Sequence, residues 1–346
     1  MRAILKLIVV AVATLIISAS CEHKELCTNH NEHAARHHLY ILPIFEQEWE
    51  YHLGKNSIDW SAVWDANKYL MSYDDLRPEV PSGVRILALN KETAVQTSSN
   101  ILASGGVAYS TGVDNSLLFY NNDTEYIVFN DMGNQTAATA TTRTRTRSTY
   151  MGNEFSSEEN ENTVAPPDML YARYLPEYAI ERQYDPDTLP VTLMPLVYTY
   201  LIRYEVTYGI QYFGIARGAL SGMAGSVYLH SGHTSEQVVT VIYDCEPIEN
   251  YGAQAFVRSF GIPNYPNDAY SRGDQRYALN IEIRLRNGRM VNYDFDVTDQ
   301  VERQPHGGVI EVSGIEIPDS IGQNTGSGFD IEVEGWGEYV DVDLPL

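Results

Sequence analysis

Short runs of alternating or β-branched residues, separated by turn residues, recur along most of the 346-residue chain. Such runs predict strands, and many short strands at turn-marked intervals are typical of β-sandwiches. The predicted strands are 39–45 (continued over 46–51), 83–89, 112–120, 126–129, 191–208, 225–229, 238–243, 255–260, 277–285, 290–297, 309–317 and 329–333. A short helix or a loop is expected within 61–73. The predicted fold class is therefore all-β.

Two turn sequences predict hairpins. Asn287-Gly288 lies between two alternating runs, which indicates a type I′ turn. The tetrapeptide 121–124, Asn-Asn-Asp-Thr, separates the predicted strands 112–120 and 126–129. We expect both pairs of strands to be antiparallel neighbours.

The first 21 residues have the pattern of a bacterial lipoprotein signal. Arg2 and Lys6 precede an apolar stretch at 7–17, which is shorter than a membrane-spanning helix, and small residues then lead to Cys21. In such signals the peptide 1–20 is removed and Cys21 is lipidated, and two or three acyl chains anchor a protein stably. Ser18 departs from the pattern, since Leu is usual there, and the alternative is an ordinary signal peptide with a chance cysteine. The sequence predicts a membrane-tethered protein outside the cytoplasm.

The charge balance excludes nucleic acid as a main partner. The chain has 23 Lys and Arg against 46 Asp and Glu, a formal net charge of −23, and phosphate binding requires clustered cations. The 25 tyrosines suit half-buried strands and contact surfaces. Three cysteines in a chain of this length exclude a disulfide scaffold. Cys245 is expected to be a core residue, and its pairing with Cys27 is left open.

Residues 21–38 are polar and rich in histidine. Cys27, His30 and His33 carry donors that suit Zn²⁺. They lack the paired spacing of a structural zinc site, and the simpler interpretation is a solvated tether between the lipid and the first strand.

Alternating Thr and Arg at 142–147 predict that Arg143, Arg145 and Arg147 share one face of a strand. This strand is expected to be an exposed edge guarded by charge, and an acid- or phosphate-binding edge is the alternative. A polar run at 151–168 predicts a linker or long loop.

Sequence motifs of catalysis are absent. The chain contains no G-x-S-x-G, H-E-x-x-H, G-x-G-x-x-G or P-loop sequence, so no catalytic residue and no cofactor is predicted. His230 and His233 flank Ser231-Gly232 and are interpreted first as a turn.

Four stretches together resemble a known family. They are Cys21 to Cys27 with His30 and His33, Leu117 to Ile127, Arg217 to Ala224, and Phe295 to Val301. The chain resembles a Bacteroidales lipoprotein family of unknown function that is related to fimbrillin anchor subunits.

This resemblance implies two tandem transthyretin-like β-sandwiches, at 39–150 and 169–346, on a lipid anchor at the outer membrane or cell surface. It also implies 217–224 as a link into a strand, 295–301 as a strand entering a turn, and fimbrial subunits as partners joined by strand exchange. The predicted function is a fimbrial anchor or accessory subunit.

Two other functions remain as alternatives. A surface protein that binds glycans or a host ligand would use Trp49, Trp60, Trp64 and Trp336, provided that they cluster exposed on one face. A metal-dependent hydrolase would use the histidine-rich segment.

Overall fold

The computed structural model describes residues 35–49, 58–146, 150, 152, 155, 161–266, 275–323 and 339–342. These residues are almost all in strands and loops, which confirms the predicted all-β class. The strands are β1 Arg36–Phe45, β2 Gly83–Asn90, β3 Gln96–Leu102, β4 Gly106–Tyr109, β5 Asp114–Tyr120, β6 Ile127–Asn130, β7 Thr139–Thr142, β8 Thr144–Thr146, β9 Asn162–Val164, β10 Tyr171–Ala179, β11 Arg182–Gln183, β12 Asp187–Pro195, β13 Tyr198–Tyr208, β14 Phe213–Ala224, β15 Ser226–Tyr228, β16 Val238–Ile248, β17 Gly252–Ser259, β18 Ala278–Leu285, β19 Met290–Asp296, β20 Gly308–Glu316 and β21 Val340–Val342.

Helical segments are short. The α-helices are α1 Trp60–Val63, α2 Ala66–Tyr69, α3 Thr298–Glu302 and α4 Asp319–Gly322, and the 3₁₀ segments are Tyr73–Leu76 and Ile210–Tyr212. The helical interpretation of 61–73 is therefore confirmed. Asp65 caps α2 by accepting hydrogen bonds from the backbone N–H groups of Asn67 and Lys68.

The first sheet has the strand order β11-β1-β12-β10-β5-β2-β3, with β4 also paired to β1. β1 runs parallel to β12, whereas β10 meets β12 only at Tyr171–Pro195 and Ala172–Met194. The sheet turns over at this short contact, so one core cluster contains inward residues of both layers, including Ile41, Ile86 and Leu193. The result is a β-sandwich.

The second sheet has the order β19-β18-β14-β16-β17-β13-β20, and β9, β8 and β21 extend it from β16. β16 pairs with β14 along 238–245 and with β17 along 246–248, so it belongs to both layers of a second sandwich. Tyr204 Oη and Tyr243 Oη lie 2.8 Å apart within its core. Cys245 is buried in the same core cluster, as the sequence predicts.

Strand pairing crosses the predicted linker at 151–168. β10 and β12 follow the linker, yet they pair with β5 and β1 of the first sheet. A small third sheet joins β6 and β7 to β15 from the second half of the chain. The predicted division into 39–150 and 169–346 thus differs from the sheet membership, because strands choose partners by spatial register and not by order in the chain.

The segment between β1 and β2 crosses from the first sandwich to the second. Its helices α1 and α2 place Trp60 and Tyr69 in one buried cluster with Leu201 of β13 and Val309 of β20. The aromatic rings of Trp60, Trp64 and Tyr69 contact each other edge-on or tilted. We call residues 58–78 the strap, since they connect two strands of one sandwich across the face of the other.

Residues 217–224 form the middle of a buried strand, which corrects the expectation of a link into one. β14 covers 213–224 and is buried along almost all of its length. A Cβ on Gly218 would lie 2.3 Å from the Tyr243 ring, and Gly222 has a φ of +86° where the register shifts. The glycines therefore permit close packing and a bulge inside a strand.

One predicted hairpin is confirmed and one is wrong. β18 and β19 pair antiparallel around Asn287-Gly288, but only Gly288 has a positive φ (+81°), so the turn is not type I′, which needs positive φ at both residues. β5 and β6 do not pair, because Asn121 turns the chain from the first sheet to the third. Its buried side chain accepts from Tyr171 N and donates to Met169 O.

Other strand predictions are confirmed with changed bounds. β1 ends at Phe45, so 46–49 does not continue it. The predicted strand 191–208 contains the end of β12 and the whole of β13. The prediction at 329–333 lies outside the described residues. α3 follows β19 directly, as expected for a strand entering a turn at 295–301.

Candidate functional site at the sheet edges

The edges of the two sandwiches are the candidate functional site, because an unpaired edge offers backbone N–H and C=O groups to a strand of another protein. Three edges differ in how their backbone groups are covered: that of β20 is sealed by side chains, that of β8 is covered by a strand from the end of the described chain, and that of β1 is half open. β3, β6 and β19 also end their sheets among the described residues.

The outer edge of β20 is sealed by two glutamines. Gln304 accepts from Val309 N at 3.0 Å and donates to Val309 O at 2.6 Å. Gln300 accepts from Glu311 N at 3.0 Å and donates to Glu311 O at 2.9 Å. The two amides thereby substitute for a neighbouring strand, and this stretch of β20 has no free groups for another chain.

Helix α3 sets the spacing of this seal. Gln300 and Gln304 are four residues apart, at and just beyond the end of α3, and Val309 and Glu311 are two residues apart on a strand. One helical turn and two strand residues both cover roughly 6 Å, so the two amides match alternate residues of β20. Trp60 of the strap adds a bond, from its Nε1 to Gln304 Oε1 at 2.9 Å.

His306 lies in the connection between α3 and β20. Its ring packs against Tyr198 at 4.3 Å and Tyr265 at 5.3 Å between ring centroids. Burial lowers the pKa of His306 to about 4, since the charged imidazolium loses its hydration there. The sealed edge therefore begins beside a histidine that stays neutral at neutral pH.

A short strand covers β8. β21 pairs antiparallel with it, and Arg145 forms a bidentate ion pair with Asp341, with Nε–Oδ1 at 2.7 Å and Nη2–Oδ2 at 2.9 Å. Tyr339 packs against the Arg145 guanidinium and donates a hydrogen bond to Asp244. The prediction of an open edge guarded by arginine is wrong for β8, because Arg145 binds an acid of its own chain; Arg147 lies outside the described residues.

The edge of β1 is half open. β12 pairs with residues 39–45 on one side, whereas β4 pairs with only 38–41 on the other. Among the described strands, none pairs with the second side of 42–45. Leu42 is 41% exposed and Ile44 is 48% exposed, and Pro43 between them has no N–H to donate, as is common in edge strands.

Several predicted site residues lie outside the described part of the chain. They are Cys21, Cys27, His30 and His33. No group of three or more metal-ligating side chains occurs among the described residues. Lipidation of Cys21 and the weak metal candidates remain predictions.

The tryptophans do not form an exposed binding platform. Trp49 and Trp60 are buried and Trp64 is half-buried, and all three pack in the cluster that contains Tyr69 and Leu201. Trp336 lies outside the described residues. These three residues therefore do not form the exposed cluster on one face that the glycan-binding alternative requires.

Sequence reasoning missed Gln300 and Gln304. The available signal was their spacing of four residues shortly before the predicted strand at 309–317. Glutamine is common in helices and the sealing depends on tertiary contact, so this spacing becomes informative only when β20 is placed beside α3.

Comparisons with known proteins agree with this architecture. Residues 76–244 match a family described as a domain of unknown function, DUF5119. A solved candidate adhesin from Bacteroides ovatus is 17% identical, with a TM-score of 0.56 over 82% of this chain and 93% of its own. The chain has the fold of this Bacteroides protein. The predicted resemblance to Bacteroidales surface proteins is confirmed at this level.

Two further structures are similar at lower scores. A second Bacteroides ovatus candidate adhesin is 10% identical with a TM-score of 0.44, over 80% of this chain and 88% of its own. The fimbrial anchor protein Mfa2 from Porphyromonas gingivalis is 8% identical with a TM-score of 0.43, over 80% of this chain and 90% of its own. No curated protein matches the sequence. Within the described residues, no helix has the length and apolar character needed to cross a membrane.

Proposed function

We propose that the protein is a lipid-anchored subunit at the outer membrane surface that anchors or assists the assembly of fimbriae by pairing β-strands with other subunits. The observation that carries the proposal is the half-open edge of β1, where residues 42–45 have a strand on one side only. An incoming strand would gain backbone hydrogen bonds and contacts with Leu42 and Ile44.

The position of this edge in the chain supports the proposal. β1 begins at Arg36, 15 residues after Cys21, and an extended chain of that length reaches roughly 50 Å. A lipid on Cys21 would thus hold the half-open edge close to the membrane. The fold shared with a Bacteroides candidate adhesin is compatible with a role at the cell surface.

Two other edges are less accessible than that of β1. Where β20 is sealed and β8 is covered, an incoming strand would first have to break existing bonds. β3, β6 and β19 also end their sheets in the described part of the chain, so the choice of β1 rests on its exposed Leu42 and Ile44 and on its nearness in sequence to Cys21.

Membrane attachment is tested by Cys21→Ala, compared with Cys27→Ala as a control that keeps the same signal. We expect the Cys21 variant to leave the membrane fraction and the control to stay in it. Membrane association of both variants would refute the lipid anchor, and it would leave the fimbrial role to the next experiment.

The fimbrial role is tested by deleting the gene and counting surface fibres by electron microscopy. We expect fewer, longer or detached fibres, and restoration by the unaltered gene but not by Cys21→Ala. Unchanged fibre number, length and attachment in the deletion strain would contradict the proposal.

A further inference from the structure

A cavity of about 320 Å³ lies against β2 and β3, which are at the opposite end of the first sheet from β1. Its floor comes from β2 and β3, and its wall from the connection between β6 and β7. This volume is at the lower end of the range for small-molecule sites in proteins.

Two glutamines fix the wall of the cavity to the sheet. Gln135 is buried; its Oε1 accepts from Ser116 Oγ at 2.6 Å and its Nε2 donates to Leu87 O at 2.9 Å. Gln96 donates from Nε2 to Met132 O at 3.1 Å. The wall is therefore held from two sides, and the cavity is a built feature of the fold.

Arg85 is a cation without an acidic partner in this cavity. Its guanidinium has no hydrogen bond or ion pair with any described residue, and its Nε is fully buried. A buried donor left unsatisfied is destabilising, and a bound anion would remove that cost.

Other polar atoms face the same space. Gln96 Oε1 is buried and has no donor among the described residues. Tyr120 pairs across strands with Arg85, and its ring packs on Phe129 at 4.9 Å between centroids. Burial raises the pKa of Tyr120 above its ordinary value, although Arg85 acts in the opposite direction, so the hydroxyl stays protonated and able to donate.

We propose that this cavity binds a small hydroxylated organic carboxylate. Arg85 would hold the carboxylate through its fork of N–H donors, with Tyr120 Oη beside it, and Gln96 Oε1 would accept from a ligand hydroxyl. Leu87 and Phe129 supply an apolar surface for the body of the molecule. One cation suits the single charge of a carboxylate better than the multiple charges of a phosphate.

The test is isothermal titration of the purified full-length protein with glucuronate, glucose and inorganic phosphate. Glucuronate and glucose share a ring and hydroxyls and differ in the carboxylate. We expect glucuronate to bind and glucose to bind at least about tenfold more weakly, the size of one charge-assisted hydrogen bond. Equal binding of both sugars, stronger binding of phosphate, or no binding of glucuronate at 20 mM, roughly the weakest affinity this method resolves, would overturn the proposal.

Variants locate the site. Arg85→Gln should weaken glucuronate binding about tenfold, and Arg85→Lys should not restore it fully, because lysine keeps the charge without the fork. Arg36→Gln, which removes an exposed arginine elsewhere, should have no effect. Thermal unfolding of each variant separates loss of the site from loss of the fold. A folded Arg85→Gln variant with unchanged affinity would contradict the assignment.

Discussion

β20 and β1 both have a side without a neighbouring strand, but only on β20 do side chains bond the backbone groups of that side. Val309 and Glu311 of β20 have their backbone groups satisfied by Gln304 and Gln300. Residues 42–45 of β1 have no such cover among the described strands, and apolar side chains lie exposed beside them. Edges that are open to water invite association, and natural proteins usually block those that have no partner. The proposed pairing of a partner strand with β1 rests on this difference.

The largest loss of unfolding free energy is expected when the seal on β20 is broken. Gln304→Met keeps the volume but removes the amide that bonds Trp60 Nε1 and both backbone groups of Val309. We expect a loss of about 3–5 kcal/mol in unfolding free energy, because each buried unsatisfied group costs about 1–3 kcal/mol. Chemical denaturation measures it. A loss below about 1 kcal/mol would mean that water replaces the amide and that the edge is not sealed by Gln304.

Lowering the pH should weaken the connection that leads into β20. His306 has a pKa of about 4 in the folded chain and an ordinary value near 6.5 when unfolded, so the unfolded chain binds the proton first. The contribution of neutral His306 to the unfolding free energy is fully present above pH 6.5. It is lost as the pH drops towards 4, by up to about 3 kcal/mol.

His306→Phe should flatten the stability profile between pH 6.5 and 4 relative to the unaltered protein. Identical pH profiles for His306→Phe and the unaltered protein would contradict the assignment.

Removing Gln300, the second glutamine of the seal, should lower the unfolding free energy by less than removing Gln304. Gln300→Met frees the N–H and C=O of Glu311, which lie only partly buried. We expect a loss of about 1–2 kcal/mol, and faster hydrogen exchange at Glu311 than at Val309. Equal exchange rates in the variant and the unaltered protein would show that Gln300 does not protect this edge.

The cover on β8 should be weaker than the seal on β20. Arg145→Gln removes the bidentate contact with Asp341, and we expect a loss of about 1 kcal/mol with release of 339–342. A double-mutant cycle with Asp341→Asn measures the coupling of the pair. A coupling energy near zero would mean that backbone pairing alone holds β21.

The smallest effect on stability is expected at β1 itself. Leu42→Lys and Ile44→Lys change exposed side chains, so the unfolding free energy should stay within about 0.5 kcal/mol. A larger loss in denaturation would show that these residues support the fold, and they would then not serve as a free contact surface.

Strands with clear alternation were predictable from the sequence, and strands without it were not. β1 and β2 alternate apolar and polar residues or are continuously apolar, and both predictions are confirmed. The family resemblance implies a link at 217–224, whereas β14 is a continuous strand there and its glycines allow Gly218 to pack on Tyr243. β3 is largely polar and half exposed, so it has no apolar signal.

Features that depend on pairing between distant segments could not be predicted from the sequence. Asn121 and the residues after it have turn composition, but composition does not tell whether the chain returns to the same sheet or passes to another. The seal of β20 likewise depends on the meeting of α3, the strap and β20. Local patterns fix the class of an element, and tertiary contacts decide its neighbours.

The role of the β1 edge in assembly is tested most directly by counting attached fibres on cells that carry Leu42→Lys together with Ile44→Lys. The control carries Val63→Lys and Val80→Lys, two substitutions at equally exposed apolar residues of the strap and the loop after it. We expect loss or detachment of fibres in the first strain and normal fibres in the control, with equal amounts of folded protein in the membranes of both strains. Normal fibres in both strains would contradict a role for the β1 edge in assembly.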